Sequence, residues 1–362
     1  MSLIKNILSA INASSSTSSV VGVDIGSSSM KVIELQEKNG IITLSTYGEV
    51  QLGPYVGKSI GSSVLLDQKQ EQTALIDVIR ESAVSAKRGV FAMPLSSSFV
   101  TNISVESNVE VDLASLVRVE ARKVIPASLS EVTLDWAEVE VTKKEASENG
   151  EGRRSILIAS IQNSALDRFN ILMQFVGLAK PPTEIECFSA IRGLYSTDEE
   201  NIAIVDIGAV SVKLYIARKG LLMRMYRIRG GGVIATQKIS ESLKVDFDEA
   251  EAIKCSVTRE SKNFAEIKRA HDGSYERTFK EFNHVLREYE NKTGLTISSI
   301  YLAGGGALFP GIDVYLRTVM EKDVMISNPF SKVAYPAFME DVMYEIGPSF
   351  TVALGAALRA FE

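Results

Sequence analysis

Through the first hundred residues, apolar positions come in short runs dominated by valine and isoleucine, and most runs end at glycine, serine or asparagine. VVGVDI, MKVIEL and IITLSTYGEV therefore predict three consecutive strands of a meander, broken at GSSS and at EKNG. Leu75, Ile76, Ile79 and Val84 fit the spacing of a helix over 71–86, and GVFAMP predicts a further strand. From about Ser96 to Gly177 the rhythm changes. TNISVE, a helix over 113–124, LDWAEVEV, a polar turn KKEASENGEGRR, SILIASI and a helix over 164–175 form a compact β-α-β-β-α run, which predicts an inserted subdomain.

At NIAIVDIGAVSVKLYIARKG the opening pattern restarts. Asp24 is followed by Ile25, Gly26 and, seven positions on, Lys31; Asp206 is followed by Ile207, Gly208 and, seven positions on, Lys213. The two aspartates lie 182 residues apart, about half of the 362-residue chain, which is the mark of a duplicated, two-lobed protein. Next come the strand MRMYRIR, the glycines Gly230, Gly231 and Gly232, and a charged, helix-rich region over 233–293. ISSIYLAGGGALFPGIDVYLRTVM then predicts a strand, a glycine-rich turn and a helix, and a small-residue helix runs from about Phe350 to Ala360. At the other end, Leu3, Ile4, Ile7, Leu8 and Ile11 line one face of a short helix, and ASSSTSS tethers it. That helix has three candidate seats: its own protein, a partner, or a membrane surface, the last weakened by its single lysine.

Composition narrows the classes. With 45% apolar and 23% charged residues the chain is an ordinary folded protein, and a net charge of -6 argues against nucleic acid as a partner. Two cysteines are too few for a disulfide framework, and Cys187 and Cys255 both read as small core residues. Two histidines cannot supply a metal cluster. No apolar run approaches the roughly 20 residues that span a bilayer, and the N-terminus lacks a secretory signal, so a cytoplasmic protein is expected.

Phosphate binding needs bare backbone amides, little bulk and a nearby cation. DIGSSSMK offers Gly26, Ser27, Ser28, Ser29 and Lys31, but lacks the Gly-Lys-Ser/Thr end of a P-loop, and its apolar alternation continues as a strand. Either DIG copy alone reads equally as a plain hairpin turn. An aspartate ending a buried strand is costly unless paired or facing a cation, and its repetition favours function. Asp24 and Asp206, facing each other, would hold hydrated Mg²⁺ on a bound nucleotide. Gly304, Gly305 and Gly306 either permit tight strand-helix packing or let a nucleoside lie on the backbone; Gly230, Gly231 and Gly232 suggest a second such approach. Glu251 and Lys254 are either a solvated i, i+3 pair or nucleoside contacts. Glu186 is a candidate for orienting a water toward the γ-phosphate, or a helix-start carboxylate.

Both DIG hairpins, LAGGG and the terminal LGAAL helix stand in the order of the actin-like ATPase superfamily, which the chain resembles. Within it, VRVEARKVIPASLSEVTLDW, GLAKPPTEIECFSAIRGLY, RGGGVIATQKI, VMISNPF and IGPSFTVALGAALR are similar to the PilM branch, type IV pilus assembly proteins related to the division protein FtsA. The resemblance implies an α/β, actin-like (duplicated, ribonuclease H-like) two-lobe fold with an inserted 1C (SHS2-type) subdomain. It divides the chain into an N-terminal segment with its linker (1–19), subdomain 1A (20–95, 178–200 and 348–362), 1C (96–177), 2A (201–232 and 294–347) and 2B (233–293).

The same resemblance implies ATP with Mg²⁺ in the cleft. Asp24, Gly26, Ser27 to Ser29 and Lys31 take the first phosphate role, and Asp206, Gly208 and Lys213 the second. Gly304 to Gly306 take the adenosine role, with Glu251 and Lys254 at the base. It implies a partner, the cytoplasmic N-terminal tail of a PilN-like membrane protein, gripped between lobe one and 1C. That tail would hold the chain at the inner face of the inner membrane, beside other platform and motor proteins. Two departures stand out: Cys187 replaces a proline usual in relatives, and Ala209 and Val210 replace polar residues, so at most slow ATP hydrolysis is expected. With no amphipathic helix following LGAALRAF in this sequence, an FtsA-style C-terminal membrane anchor is not expected. Two other readings share the fold: a small-molecule kinase, for which no sequence context supplies the general base, and a filament-forming cytoskeletal protein.

Overall fold

The computed structural model describes residues 19–362 apart from 107–111, 150–152, 180–182 and 198–199, and the side chains of 148–149. The N-terminal amphipathic stripe lies outside the described residues. Lobe one begins with β1 (Ser19–Ile25), β2 (Ser29–Lys38), β3 (Ile41–Gln51), α1 (Gln68–Glu81) and β4 (Arg88–Met93). The inserted unit follows as β5 (Ser98–Glu106), α2 (Leu113–Val124), β6 (Val132–Val139), α3 (Lys143–Asn149), β7 (Arg153–Gln162) and α4 (Asn163–Phe175). Two short elements, β8 (Glu184–Ile185) and α5 (Glu186–Leu194), return the chain to lobe one. Lobe two comprises β9 (Asn201–Ile207), β10 (Ser211–Arg218), β11 (Leu221–Arg229), α6 (Gly232–Leu243), α7 (Phe247–Ser256), α8 (Phe264–Thr293), β12 (Ser299–Ala303), α9 (Ile312–Met320) and β13 (Val324–Ile326). The long α10 (Glu340–Leu358) closes the chain against lobe one.

The duplication read from the sequence is a duplication of sheets. Lobe one is ordered β3-β2-β1-β4-β8 and lobe two β11-β10-β9-β12-β13. In each, three antiparallel strands are joined by tight turns and two more run parallel to the first. The inner strand β9, NIAIVDI, is buried along its whole length, as a strand covered on both faces must be, which explains its unbroken apolar run. The inserted unit has its own three-stranded sheet, β5-β7-β6, and its own core of Ile103, Val117, Ala121, Ile125, Ile156 and Ile158.

Close backbone packing seats α10 on lobe one. A Cβ on Gly355 of α10 would stand 1.8 Å from the Ser189 carbonyl oxygen of α5, and one on Gly22 of β1 would stand 2.0 Å from the Ala353 carbonyl oxygen. The small-residue run in LGAAL therefore serves helix-helix and helix-sheet contact at backbone distance.

Three local readings need correction. The helix expected from Phe350 begins ten residues earlier at Glu340, so that Pro348 sits inside it, costing one donor, while its carbonyl accepts from Gly304 N–H at 2.8 Å. KKEASENGEGRR is not simply a turn. Thr142 Oγ1 accepts from Glu145 N–H at 3.1 Å and Glu145 Oε2 from Thr142 N–H at 2.8 Å, a reciprocal cap that starts α3. Cys255 is exposed, whereas Cys187 is buried in the core.

The inserted unit touches both lobes. On lobe one, Arg168 of α4 pairs with buried Glu71 of α1, and Phe169 packs edge-on to Phe91 at 5.6 Å. On lobe two, Asn102 Nδ2 donates to the Met223 carbonyl at 2.6 Å, and Arg218 pairs with Glu145 at 3.1 Å, both side chains buried.

Candidate functional site

The two DIG turns are hairpin turns and cavity walls at once. Gly26 N–H donates to the Ser29 carbonyl at 2.9 Å, and Gly208 N–H to the Ser211 carbonyl at 3.1 Å. This closure sets the register, so that Asp24 lies opposite Lys31 on β2 and Asp206 opposite Lys213 on β10. The seven-residue spacing seen in the sequence is thus a cross-strand pairing, repeated on the two sides of one cleft.

Every site residue predicted from the sequence lines a single cavity of about 420 Å³, with the exception of Gly230 and Gly231. Gly231 lies behind the wall: a Cβ there would stand 2.1 Å from the Gly208 carbonyl oxygen, and Gly232 N–H donates to that same oxygen at 2.9 Å. The glycine run after β11 therefore lets α6 start against the protein's own second turn. The other run divides its labour. Gly304 (φ +81°) and Gly306 are packed, their Cβ positions 2.4 Å from Asp206 Oδ1 and 2.2 Å from Ile207 Cγ2, whereas a Cβ on Gly305 would meet nothing within 4 Å. Gly305 is the position where backbone is bare to the cavity.

At the centre of the cleft, Lys213 Nζ donates to Glu186 Oε2 at 2.5 Å and reaches Asp206 Oδ2 at 3.2 Å. Burial works against its charge, but Asp206, Glu186 and Asp24 outweigh it and hold the ammonium above its usual range. Glu186 Oε1 accepts from Leu95 N–H at 2.7 Å, so both of its oxygens are engaged. Glu186 is a helix-start carboxylate, the first residue of α5, and it also lines the cavity. Lys31 donates to Ser29 Oγ at 2.6 Å and pairs with Glu49 at 3.1 Å. Asp24 is the least compensated group. Burial pushes its carboxyl from the usual 3.8 up to about 6, with Lys31 and Lys213 opposing that shift and Glu186 and Asp206 adding to it.

At the other end, buried Glu251 and half-buried Lys254 pair at 2.6 Å, and Thr236 Oγ1 also donates to Glu251 Oε2. The i, i+3 pair of the sequence reading is present, on the face of α7 that lines the cleft. Sequence reasoning missed the wall behind them. His271 of α8 stacks on Phe309 with ring centroids 3.5 Å apart and places Nδ1 3.2 Å from Asp272 Oδ1; burial, resisted by Asp272, keeps the imidazole below its usual range. Tyr275, one turn on and fully buried, lines the same wall. The i, i+4 spacing of His271 and Tyr275 was the available signal.

The cavity is acidic. Its lining carries Asp24, Glu49, Glu186, Asp206 and Glu251 against Lys31, Lys213 and Lys254. Among the described residues no three His, Cys, Asp or Glu side chains stand close enough to hold a metal ion by themselves. No helix among the described residues is long and apolar enough to cross a membrane.

Two duplicated sheets around an acidic cleft define the actin-like ATPase fold. The solved PilM-PilN type IV pilus biogenesis complex has a chain that matches this one with a TM-score of 0.77, 23% identity, and coverage of 95% of this chain and 98% of that one. MreB5 of Spiroplasma citri bound to AMPPNP matches with a TM-score of 0.52 and 13% identity, covering 95% and 96% of the two chains. In sequence, the cell division protein FtsA of Bacillus subtilis (strain 168) is 23% identical over 370 residues, 89% of this chain and 81% of FtsA. The family model of the type IV pilus assembly protein PilM matches residues 22–361, and the chain belongs to that family.

Proposed function

We propose that the chain binds ATP with Mg²⁺ between its two lobes and, as part of a type IV pilus or related inner-membrane platform, grips the cytoplasmic tail of a PilN-like membrane protein. The observation that carries the nucleotide half is the repeated Asp-Lys register, Asp24 with Lys31 and Asp206 with Lys213, converging on one cavity. Its volume falls in the ordinary range for small-ligand sites. A structural neighbour solved with AMPPNP supports the same reading.

The donor set fits a hydrated cation better than a bare triphosphate. Five carboxylates against three lysines would repel polyphosphate, and Asp24, raised to about 6 by burial, lacks compensation that a cation would supply. Asp24 and Asp206 would hold Mg²⁺ through water, and the cation would neutralise the phosphate oxygens. Ser27 to Ser29 and Lys31 would then meet the phosphates from lobe one. Gly305 would lie under the nucleoside, and Glu251 and Lys254 beside it. Glu186 is tied to Lys213 and Leu95, which leaves it poorly placed to take a proton from water and supports binding with at most slow hydrolysis.

For the tail, membership of the PilM family and the solved PilM-PilN complex support a PilN-like partner. The seam where Arg168 and Phe169 of α4 meet Glu71 and Phe91 of lobe one is the groove we assign to it. Exposed Ile171 and Phe175 on α4 offer apolar purchase nearby. Such a tail would keep the chain at the cytoplasmic face of the inner membrane. Titration calorimetry with ATP, with and without Mg²⁺, and with a PilN-type tail peptide tests both halves. Saturable binding of Mg²⁺-ATP and of the peptide is expected; a chain that binds the peptide but no nucleotide would reduce the cleft to a hinge.

A further inference from the structure

Between the turn Gly53–Val56 and α1, residues 57–66 leave lobe one and reach lobe two at Gly61, which lines the cavity. The base of this segment is fastened to the first phosphate turn: Val64 N–H donates to the Ser27 carbonyl at 2.9 Å, and Lys58 N–H to the Gly53 carbonyl at 2.9 Å. Gly61 N–H reaches Gln51 Oε1 at 3.4 Å. The tip touches lobe two. A Cβ on Gly61 (φ +78°) would stand 2.4 Å from both Cδ and Oε1 of Glu251, so only glycine meets both the backbone angle and the space. Glu251 is braced from behind by Thr236 and Lys254. The lobes also meet electrostatically here. Burial and then Glu251 hold the Cys255 thiol above its usual range, and Glu49 of lobe one adds to the shift.

We propose that residues 57–66 are a strap that closes the nucleoside end of the cleft, latched where Gly61 meets Glu251, so that ligand enters and leaves only when this contact opens. The proposal rests on the nucleotide reading above and adds its gate. The strap and the phosphate site share a backbone, because the Ser27 that would meet phosphate is the residue that holds Val64. Gly61, Gln51 and Glu251 all line the cavity, so the closed strap is part of the wall that a ligand must pass.

A native cysteine supplies the test. Cys255 Sγ lies 3.5 Å from Glu251 Oε1, and a Cβ on residue 61 would lie 2.4 Å from that oxygen, so the two are within 5.9 Å of each other. In Gly61→Cys, copper phenanthroline should form an intramolecular disulfide with Cys255 in ligand-free protein, and Cys255→Ser in the same background should abolish it. Preloaded with fluorescent mant-ATP and Mg²⁺, the oxidised variant should release nucleotide at least tenfold more slowly than the reduced one, and Gly61→Val at least tenfold faster than the unmodified protein. Unchanged release from a folded Gly61→Val protein, or from a cross-linked Gly61→Cys one, would overturn the strap. Failure of the unmodified protein to take up mant-ATP would sink the nucleotide reading instead, with the cross-link alone deciding whether the segment spans the cleft.

Discussion

Asp24→Asn should stabilise the ligand-free protein while abolishing its response to Mg²⁺-ATP. The Asp24 carboxyl sits at about 6 in the folded state against a usual 3.8. Between those pH values the folded protein holds a proton that the unfolded chain has released, so stability falls as pH rises from about 4 to about 6 and is level above. Two pKa units correspond to roughly 3 kcal/mol, and the side chain is partly open to the cavity, so about 1–3 kcal/mol is expected. Asparagine has no charge to desolvate. At pH 7.5 the variant should therefore melt roughly 1–4 °C above the unmodified protein, and at pH 4 the two should coincide. Ligand reverses the order, because saturating Mg²⁺-ATP stabilises the unmodified chain by about 2.7 kcal/mol at a hundred times its Kd and leaves the variant unmoved. Scanning fluorimetry from pH 4 to 8, with and without Mg²⁺-ATP, reads all of this. An asparagine variant less stable than the unmodified protein at pH 7.5, or one still shifted by Mg²⁺-ATP, would refute the argument.

Three further predictions use the packing. Gly355→Val would drive a side chain into the Ser189 carbonyl, 1.8 Å from its Cβ, and should cost at least about 3 kcal/mol and much of the soluble yield; Gly305→Ala, with open space around its Cβ, should leave the melting temperature within about 1 °C and weaken nucleotide binding. Arg218→Met would strand buried Glu145 and should cost about 2–4 kcal/mol by urea titration, largely recovered in Arg218→Met/Glu145→Gln; equal stability of the single variant and the parent would show that the pair holds nothing.

The parts of the site legible in the sequence were those whose geometry is local. A hairpin of fixed turn length converts a seven-residue spacing into a cross-strand pair, so Asp24 with Lys31 and Asp206 with Lys213 could be read from spacing alone. Glycine runs are less decisive, because a missing Cβ serves a ligand and a neighbouring backbone alike. Gly305 faces open space while Gly231 faces the Gly208 carbonyl, and only the fold separates them. Helix α3 is held by partners far along the chain, Arg218 of β10 and the α8 carbonyl of Asn291 that takes Lys144. Cys255 was misplaced because α7, whose apolar spacing is weak, turns it to the rim of the cleft.

The two halves of the duplicated site have diverged in mechanics as well as in chemistry. In lobe two the turn is committed: Gly208 and Ala209 carbonyls accept the first amides of α6, the Val210 carbonyl accepts from Gly230 and Gly231, and Lys213 is bound on two sides. In lobe one the Ser27 carbonyl holds Val64 of the strap and the Ser28 carbonyl holds Leu52. A phosphate pulling on the serine turn would thus pull on the segment that covers the nucleoside end, whereas the same pull on the second turn meets a fixed helix start. Ser27 and Ser28 of the first copy stand where the second has Ala209 and Val210, so the extra hydroxyls fall on the turn joined to the strap. That distribution suits a cleft whose occupancy is reported by closure, with lobe two as the anvil and the strap as the part that registers the ligand.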